Sequence, residues 1–145
     1  MSSSLKMKVR FDYIGKPKMG KLFSSGRNVE QQAEQIRQHK VSMVRNIPIQ
    51  GIHIEDIDVS LEVYSVIDDI TGKPVAYAPV IVSFYADTIE DALKFIINEE
   101  FRTIEVLQPD DMSLTRFDIE RLFYQVAKDF AEYKDTLERK INNWK

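Results

Sequence analysis

The chain has 145 residues, of which 43% are apolar and 30% charged, and its formal net charge is −3. This is typical of one soluble domain, which at this length buries roughly 70% of its unfolded surface. The chain contains no cysteine, which excludes disulfides, thiolate-bound metals and a cysteine nucleophile and fits a reducing cytoplasm.

The N-terminal part of the sequence predicts a strand, a loop and a helix. Apolar and polar residues alternate from Met7 to Tyr13, which indicates a half-buried strand. A loop at 15–26, with three glycines and no acidic residue, follows it. Apolar residues then recur at helical spacing between 29 and 43, so a helix is expected to begin near Asn28.

The middle of the chain predicts a long hairpin. A strand at about 57–67 has a change of phase before it, which indicates a bulge near Glu55–Asp56. The segment 68–74 has the Asp and Gly of a turn, and 75–86 is apolar on both faces, as in a central strand. Pro79 cannot donate a hydrogen bond to the sheet, so a bulge or a local loss of pairing is expected there.

The remaining elements are a short helix, a short strand and a long helix. Capping boxes at Thr88–Asp91 and Thr115–Asp118 mark the starts of the two helices, and 103–107 reads as the strand between them. The predicted fold is therefore α+β: a ferredoxin-like βαββαβ sandwich followed by a long C-terminal amphipathic helix. We expect a single domain, 1–145, with its core at 5–108 and the last helix at about 113–143.

The last helix carries a line of apolar residues down to its end. They are spaced 3-4-4-3-4-4-3 along the chain, close to 3.6 residues per turn: Ile119, Leu122, Val126, Phe130, Tyr133, Leu137, Ile141 and Trp144. From 115 to 143 the helix would be about 43 Å long, whereas the preceding domain has a diameter of about 34 Å. Three interpretations remain open: the helix covers the free face of the sheet, it forms a homodimer, or it binds another protein. For the homodimer, the predicted interface is Tyr133, Leu137, Ile141 and Trp144. The polar side of the helix mixes both charges, which argues against attachment to a membrane.

Charge is segregated along the chain. Residues 1–45 have a net charge of +7, residues 46–111 of −11 and residues 112–145 of +1. In the predicted fold the basic first strand and the acidic second strand share one sheet, which leaves the loop at 15–27 as the unbalanced segment. With the first amides of the helix, its side chains predict a site for a phosphate-bearing ligand or an acidic protein: Lys16, Lys18, Lys21, Ser24, Ser25 and Arg27.

Residues 15–22 match a P-loop in all but the last position, where Leu22 replaces the Ser or Thr that would hold Mg²⁺, so a nucleotide P-loop is not expected.

The outer face of the predicted sheet combines basic and aromatic residues. Lys8 and Arg10 would lie beside Tyr77, Ile81 and Tyr85 on the outer sheet face, as in single-stranded RNA binding, but the RNA-recognition motifs are absent and the chain is acidic overall. Nucleic acid is therefore not an expected partner.

Neither a metal site nor a catalytic site is predicted. His53 with Glu55, Asp56 and Asp58 falls short of a convergent four-ligand metal site. The Asp pairs at 68–69 and 110–111 belong to turns, so no catalytic residue, metal or cofactor is predicted.

The sequence thus predicts a small cytoplasmic binding or assembly module without evident catalytic chemistry, which self-associates through its C-terminal helix into a homodimer. The alternative is an anion or phosphate-ligand binder that uses the basic loop at 15–27. A third possibility is an enzyme whose site is assembled from distant residues.

Overall fold

Five strands and three helices make up the described part of the chain, residues 5–16 and 26–143 of the computed structural model. In chain order they are β1 (Leu5–Gly15), α1 (Gly26–Asn46), β2 (Ile52–Asp58), β3 (Tyr64–Ile67), β4 (Pro74–Ala86), α2 (Ile89–Ile96), β5 (Phe101–Gln108) and α3 (Arg116–Asn143). The fold is α+β, with one antiparallel sheet and a C-terminal helix, which is the predicted class. Within these residues, no helix combines the length and the apolar character that crossing a membrane requires.

The sheet is built around the pairing of β1 with β4. These strands run antiparallel along the whole of β1, from Leu5 opposite Ala86 to Gly15 opposite Ala76. β5 pairs with the other edge of β1, whereas β2 and β3 both pair with the outer edge of β4. The single strand predicted at 57–67 is therefore wrong in its extent, because two shorter strands share that edge. The predicted bulge is confirmed as a shift of register between Ile54 and Asp56.

Pro79 explains the gap between β2 and β3. β4 pairs with β1 through this position without interruption, with Pro79 opposite Asp12. On the other edge, β2 pairs with residues 81–86 and β3 with residues 74–77, so the residues around the proline have no strand partner there. The predicted loss of pairing at Pro79 is confirmed, and it is confined to the edge where an amide donor would have been needed.

Arg37 of α1 fills this gap from the helix side. Its side chain is 6% exposed, and its Nη1 donates to the carbonyl oxygens of Leu61 at 2.8 Å and of Pro79 at 3.1 Å. Its Nε and Nη2 donate to the two carboxylate oxygens of Glu34 at 2.6 and 2.7 Å. One guanidinium therefore replaces the hydrogen bonds that a continuous strand would have made, and its charge is paired at the same time.

The core lies between the sheet and the helices α1 and α2. Alternate side chains of β1 and β4 face it, and Val9, Phe11 and Phe84 are almost fully buried. Phe95 of α2 meets Phe11 and Phe84 edge to face, with ring centroids 5.9 and 5.0 Å apart. This geometry is the favoured one for aromatic pairs, and it anchors α2 over the centre of the sheet.

α1 approaches the sheet as closely as a glycine permits. Gly15 ends β1, and a Cβ on it would lie 2.3 Å from the carbonyl oxygen of Val29 and 2.6 Å from the amide nitrogen of Ala33. Both Val29 and Ala33 are completely buried. The absence of a side chain on Gly15 allows the helix backbone at Val29 and Ala33 to pack directly on the end of the strand.

Local sequence signals for the helix starts are confirmed. The Thr88 hydroxyl accepts a hydrogen bond from the Asp91 amide at 3.0 Å at the start of α2. At the start of α3, the Thr115 hydroxyl accepts from the Asp118 amide at 3.1 Å, and the Asp118 carboxylate accepts from the Thr115 amide at 2.9 Å. The box at α3 is therefore reciprocal, whereas at α2 the Thr88 hydroxyl satisfies one amide of the first turn.

Burial of Tyr13 predicts a loss of stability at alkaline pH. Burial raises the pKa of this phenol to about 12, with a smaller contribution from the Glu100 carboxylate. The folded state therefore holds the phenol proton of Tyr13 more tightly than the unfolded state. The resulting contribution to the free energy of unfolding is fully present below pH 10 and is lost as the pH rises to about 12. At pH 11 the loss is about 1.4 kcal/mol. Urea denaturation at pH 9 and at pH 11 measures the free energy of unfolding. Between these pH values it should fall by about 1.4 kcal/mol more in the wild type than in Tyr13→Phe. An equal fall in both proteins would contradict the raised pKa of Tyr13.

Candidate functional site

α3 lies against α2, on the helical side of the sheet. The interpretation that it covers the free face of the sheet is therefore wrong. The α3 side chains that are partly buried are Asp118, Leu122, Gln125 and Asp129, at helical spacing. This face is mostly polar, so the packing on α2 leaves the apolar residues of the helix outside the contact.

The predicted interface residues that the structure describes lie together and are exposed. Tyr133, Leu137 and Ile141 keep 51%, 44% and 54% of their surface accessible, whereas Trp144 lies outside the described residues. They belong to a longer exposed row, called the α3 stripe below: Ile119, Phe123, Val126, Phe130, Tyr133, Leu137 and Ile141. Phe123 was not among the predicted apolar residues of this helix. It lies one position away from the predicted spacing, but at 100° per residue it reaches the same face.

A groove of about 630 Å³ runs beside the middle of the α3 stripe. Its apolar wall includes Ile97, Phe130 and Tyr133, and its polar wall includes Glu99, Glu100, Asp129 and Lys140. The Oδ1 of Asp129 accepts a hydrogen bond from Gln125 at 3.0 Å, but its Oδ2 is buried and has no hydrogen-bond partner among the described residues. A buried carboxylate oxygen without a donor costs stability, so Asp129 is a local cost to the packing of α3.

The basic loop stands largely outside the described residues. Lys18, Lys21, Ser24 and Ser25 lie in that part of the chain, and so does the side chain of Arg27. Lys16 is described and exposed, and it lines a cavity of about 660 Å³ together with Lys73, Asp68 and Asp69. The acids in this cavity oppose an anion, and the anion site of the loop stays a prediction.

The outer face of the sheet has the composition that the sequence predicted. Arg10 lies directly opposite Ile81, and Lys6 lies opposite Tyr85 with its ammonium 5.6 Å from the ring centroid. Tyr77 is stacked on Tyr64 at 5.3 Å, and the guanidinium of Arg102 lies 5.2 Å from the Tyr77 centroid. Because these ring faces already contact groups of the protein, little free aromatic surface is left for stacking on bases.

One aspartate organises the centre of this outer face. Asp12 is only 2% exposed, and it accepts hydrogen bonds from Arg10 at 2.8 and 3.3 Å and from the Tyr64 hydroxyl at 2.6 Å. Arg102 lies 3.6 Å from the same carboxylate. Burial, followed by the hydrogen bond to Asp12, raises the pKa of Tyr64, which therefore keeps its proton and acts as a donor. We call these four residues the Asp12 cluster: Arg10, Asp12, Tyr64 and Arg102.

Of this cluster, only Arg10 was predicted to lie on the outer face, because a bulge in β5 decides the position of Arg102. Phe101 pairs with Phe11 and Thr103 with Arg10, so Arg102 is an extra residue between two pairs. Strict alternation would place residue 102 on the same face as Ile104, which packs against the core. The bulge turns the side chain to the outer face instead, and no signal in the β5 sequence marks it.

Among the described residues, His53 pairs with Asp87 rather than with the acids considered for a metal site. Its Nε2 lies 3.0 Å from Asp87, and the carboxylate of Glu55 pairs with Lys6 at 3.3 Å. Asp58 accepts a hydrogen bond from the amide of Ser60 at 2.8 Å. Two of the nearby carboxylates thus serve local contacts in the strand region.

No family model, curated protein or solved structure matches this chain. Function is therefore inferred from the geometry of the chain itself. Two surfaces carry that inference: the α3 stripe with its groove, and the Asp12 cluster on the outer sheet face.

Proposed function

We propose that this protein is a binding and assembly module that forms a homodimer through the α3 stripe. One observation carries the proposal: α3 is a helix of 28 residues with no side chain buried by the described parts of the chain. An amphipathic helix gains most of its stability from packing its apolar face. Here that face is left exposed, and a second copy would bury it.

The area of the stripe suits a stable dimer. Its seven large side chains are exposed by between 39% and 69%. At about 200 Å² each, they offer on the order of 700 Å². A stable interface takes about 800 Å² from each partner, and Ile97, which is 47% exposed beside the stripe, extends the apolar surface towards that value.

The balanced charges of α3 favour a second copy of this helix over a partner with a high net charge. Residues 116–143 contain six basic and six acidic side chains, distributed along the helix. A helix with no net charge neither attracts nor repels its own copy at long range. The two signs can pair between copies around the apolar centre, as at the rim of many interfaces.

Sedimentation equilibrium of the wild-type chain tests the proposal. At tens of micromolar the expected mass is twice 16.9 kDa. A single species of 16.9 kDa throughout that range would contradict it. If the mass exceeds that of the monomer only when another protein is added, the stripe serves a heterologous partner instead.

We propose further that the core is a ferredoxin-like βαββαβ sandwich in which the second strand is interrupted. In its support, the strands follow the order β5, β1, β4 and then β2 with β3 on one edge, and all neighbours are antiparallel. Counting β2 and β3 as one strand gives the spatial order 4-1-3-2, with both crossover helices on one face. The cytoplasm remains the compartment in which we propose that the protein acts.

A further inference from the structure

We infer that the outer face of the sheet binds a small oxyanion, a phosphate or carboxylate group, between Arg10 and Arg102 of the Asp12 cluster. This site is independent of the α3 stripe, because it lies on the opposite face of the sheet from the helices. The inference rests on the charge balance of the cluster, the immobilisation of its two guanidinium groups and the bulge that brings them together.

The cluster holds more positive charge than its one carboxylate neutralises. Arg10 alone makes a bidentate pair with Asp12, at 2.8 and 3.3 Å. The Tyr64 hydroxyl takes a further lone pair of the same carboxylate, and Arg102 stands 3.6 Å from it. The acceptor capacity of Asp12 is thus used by groups of the protein, and one guanidinium charge is left over.

Both guanidinium groups are held in place and still reach solvent. Arg10 is held by its hydrogen bonds with Asp12. Arg102 donates to the carbonyl oxygen of Phe101 at 3.2 Å, and its guanidinium lies 3.6 Å from Asp12 and 5.2 Å from the ring centroid of Tyr77. Their side chains are 36% and 38% exposed. Among the described residues, Nη1 of Arg10 and Nη2 of Arg102 make no hydrogen bond. Since the rotamers are already ordered, an anion that takes these donors loses little conformational entropy on their side.

The β5 bulge adds a third polar group to the same place. It sets Arg102 beside Thr103, and Thr103 lies directly opposite Arg10 in the sheet. Bulges of this kind often stand next to functional sites because they re-aim a side chain. Guanidinium groups and hydroxyls are typical ligands of a phosphate or carboxylate oxygen, and here they come from neighbouring positions of β1 and β5.

The surroundings limit the ligand to a small anion. Lys6 and Lys8, the neighbouring cations on β1, face acids on both sides: Lys6 pairs with Glu55 at 3.3 Å, and Lys8 lies opposite Glu105. Asp58, whose pKa is lowered by its hydrogen bonds with Ser60 and by Lys8, is also close. A polynucleotide would bring its next phosphates against these acids. A single oxyanion fits the local excess of positive charge and avoids them.

The test is an NMR titration of the full chain with inorganic phosphate and, separately, with acetate, at constant ionic strength set by sodium chloride. We expect saturable shifts of the Nε–Hε signals of Arg10 and Arg102 and of the Thr103 amide. Arg102→Met should weaken the affinity at least ten-fold. Arg102→Lys, which keeps the charge but not the planar fork, should weaken it by an intermediate factor. Arg139→Met, which removes one exposed charge on α3, should leave it unchanged.

Each outcome decides the inference. Saturation by phosphate alone or by acetate alone supports it and identifies the source of the oxyanion. No saturation by either anion, or equal affinity in the wild type and Arg102→Met, overturns it. Equal affinity in Arg102→Lys and the wild type overturns it as well, because that result means diffuse attraction rather than a built site. The sedimentation mass of Arg102→Met should equal that of the wild type, so failure of this site and failure of the dimer are distinguishable.

Discussion

Replacing Leu137 and Ile141 together by aspartate is expected to convert the proposed homodimer into a monomer. In the proposed dimer both residues lie in the apolar α3 stripe, where they are 44% and 54% exposed in the single chain. Two carboxylates placed in that interface would lose their hydration without gaining partners, at a cost of several kcal/mol. A cost of about 4 kcal/mol weakens the dissociation constant about 1,000-fold. Sedimentation equilibrium at tens of micromolar should then find only the 16.9 kDa species.

The matched control is the double variant Ala131→Asp with Asn142→Asp. It adds the same two negative charges to the same part of the helix, but on its exposed polar side. This variant should remain a dimer. Both variants should keep the helical circular dichroism of the wild type at low concentration, because neither pair of positions is buried in the single chain. Retention of the dimer by Leu137→Asp with Ile141→Asp, or its loss in the control, would contradict an interface on the stripe.

Removing the side chain of Arg37 is expected to destabilise the fold by about 3 kcal/mol. Arg37→Ala leaves the carbonyl oxygens of Leu61 and Pro79 without their donor, and each such loss costs about 1–3 kcal/mol. The hydrogen bond with Arg37 also lowers the pKa of Glu34, but this carboxylate is 40% exposed and can be rehydrated. For a chain of this size the midpoint of thermal unfolding should fall by about 6–12 °C.

Two further variants separate the roles of charge and hydrogen bonding at this position. Glu34→Gln keeps the guanidinium in the gap and leaves an amide oxygen that can still accept one of its hydrogen bonds, so it should cost less, about 1 kcal/mol. Arg37→Lys keeps the charge but cannot span Glu34 and both carbonyls, so its loss should lie between the other two. Urea denaturation at one fixed protein concentration measures all three. A loss for Arg37→Ala no larger than for Glu34→Gln would mean that the gap at Pro79 needs no donor.

Elements with a strong local signal were predictable from the sequence. The alternation in β1, the apolar run of β4 and the capping boxes of α2 and α3 each depend on residues within a few positions of one another. The breaks near Glu55 and Pro79 were predictable for the same reason. The split of the second strand was not, because it depends on Arg37, which reaches the gap from a helix distant in the sequence.

The same distinction between local and distant contacts applies to the candidate sites. The apolar residues of α3 could be read from their spacing, yet their exposure could not, because that depends on α3 packing on α2 through Leu122, Gln125 and Asp129 rather than on the free sheet face. The Asp12 cluster could not be predicted from the sequence. Its members come from three strands, and the bulge that turns Arg102 outward is a property of the pairing of β5 with β1.

What the sequence determined by itself is the α+β class, the strands and helices other than the divided second strand, the long amphipathic helix and the segregation of charge. These features follow from periodicity and composition, which do not depend on the tertiary contacts of the chain. The tertiary structure alone decided which faces stay open, where the surplus cations meet and which carboxylates are already paired. The physical reason is that burial and hydrogen bonding depend on distances between residues far apart in the chain, and a bulge or a helix position that changes those distances leaves no mark on the local pattern.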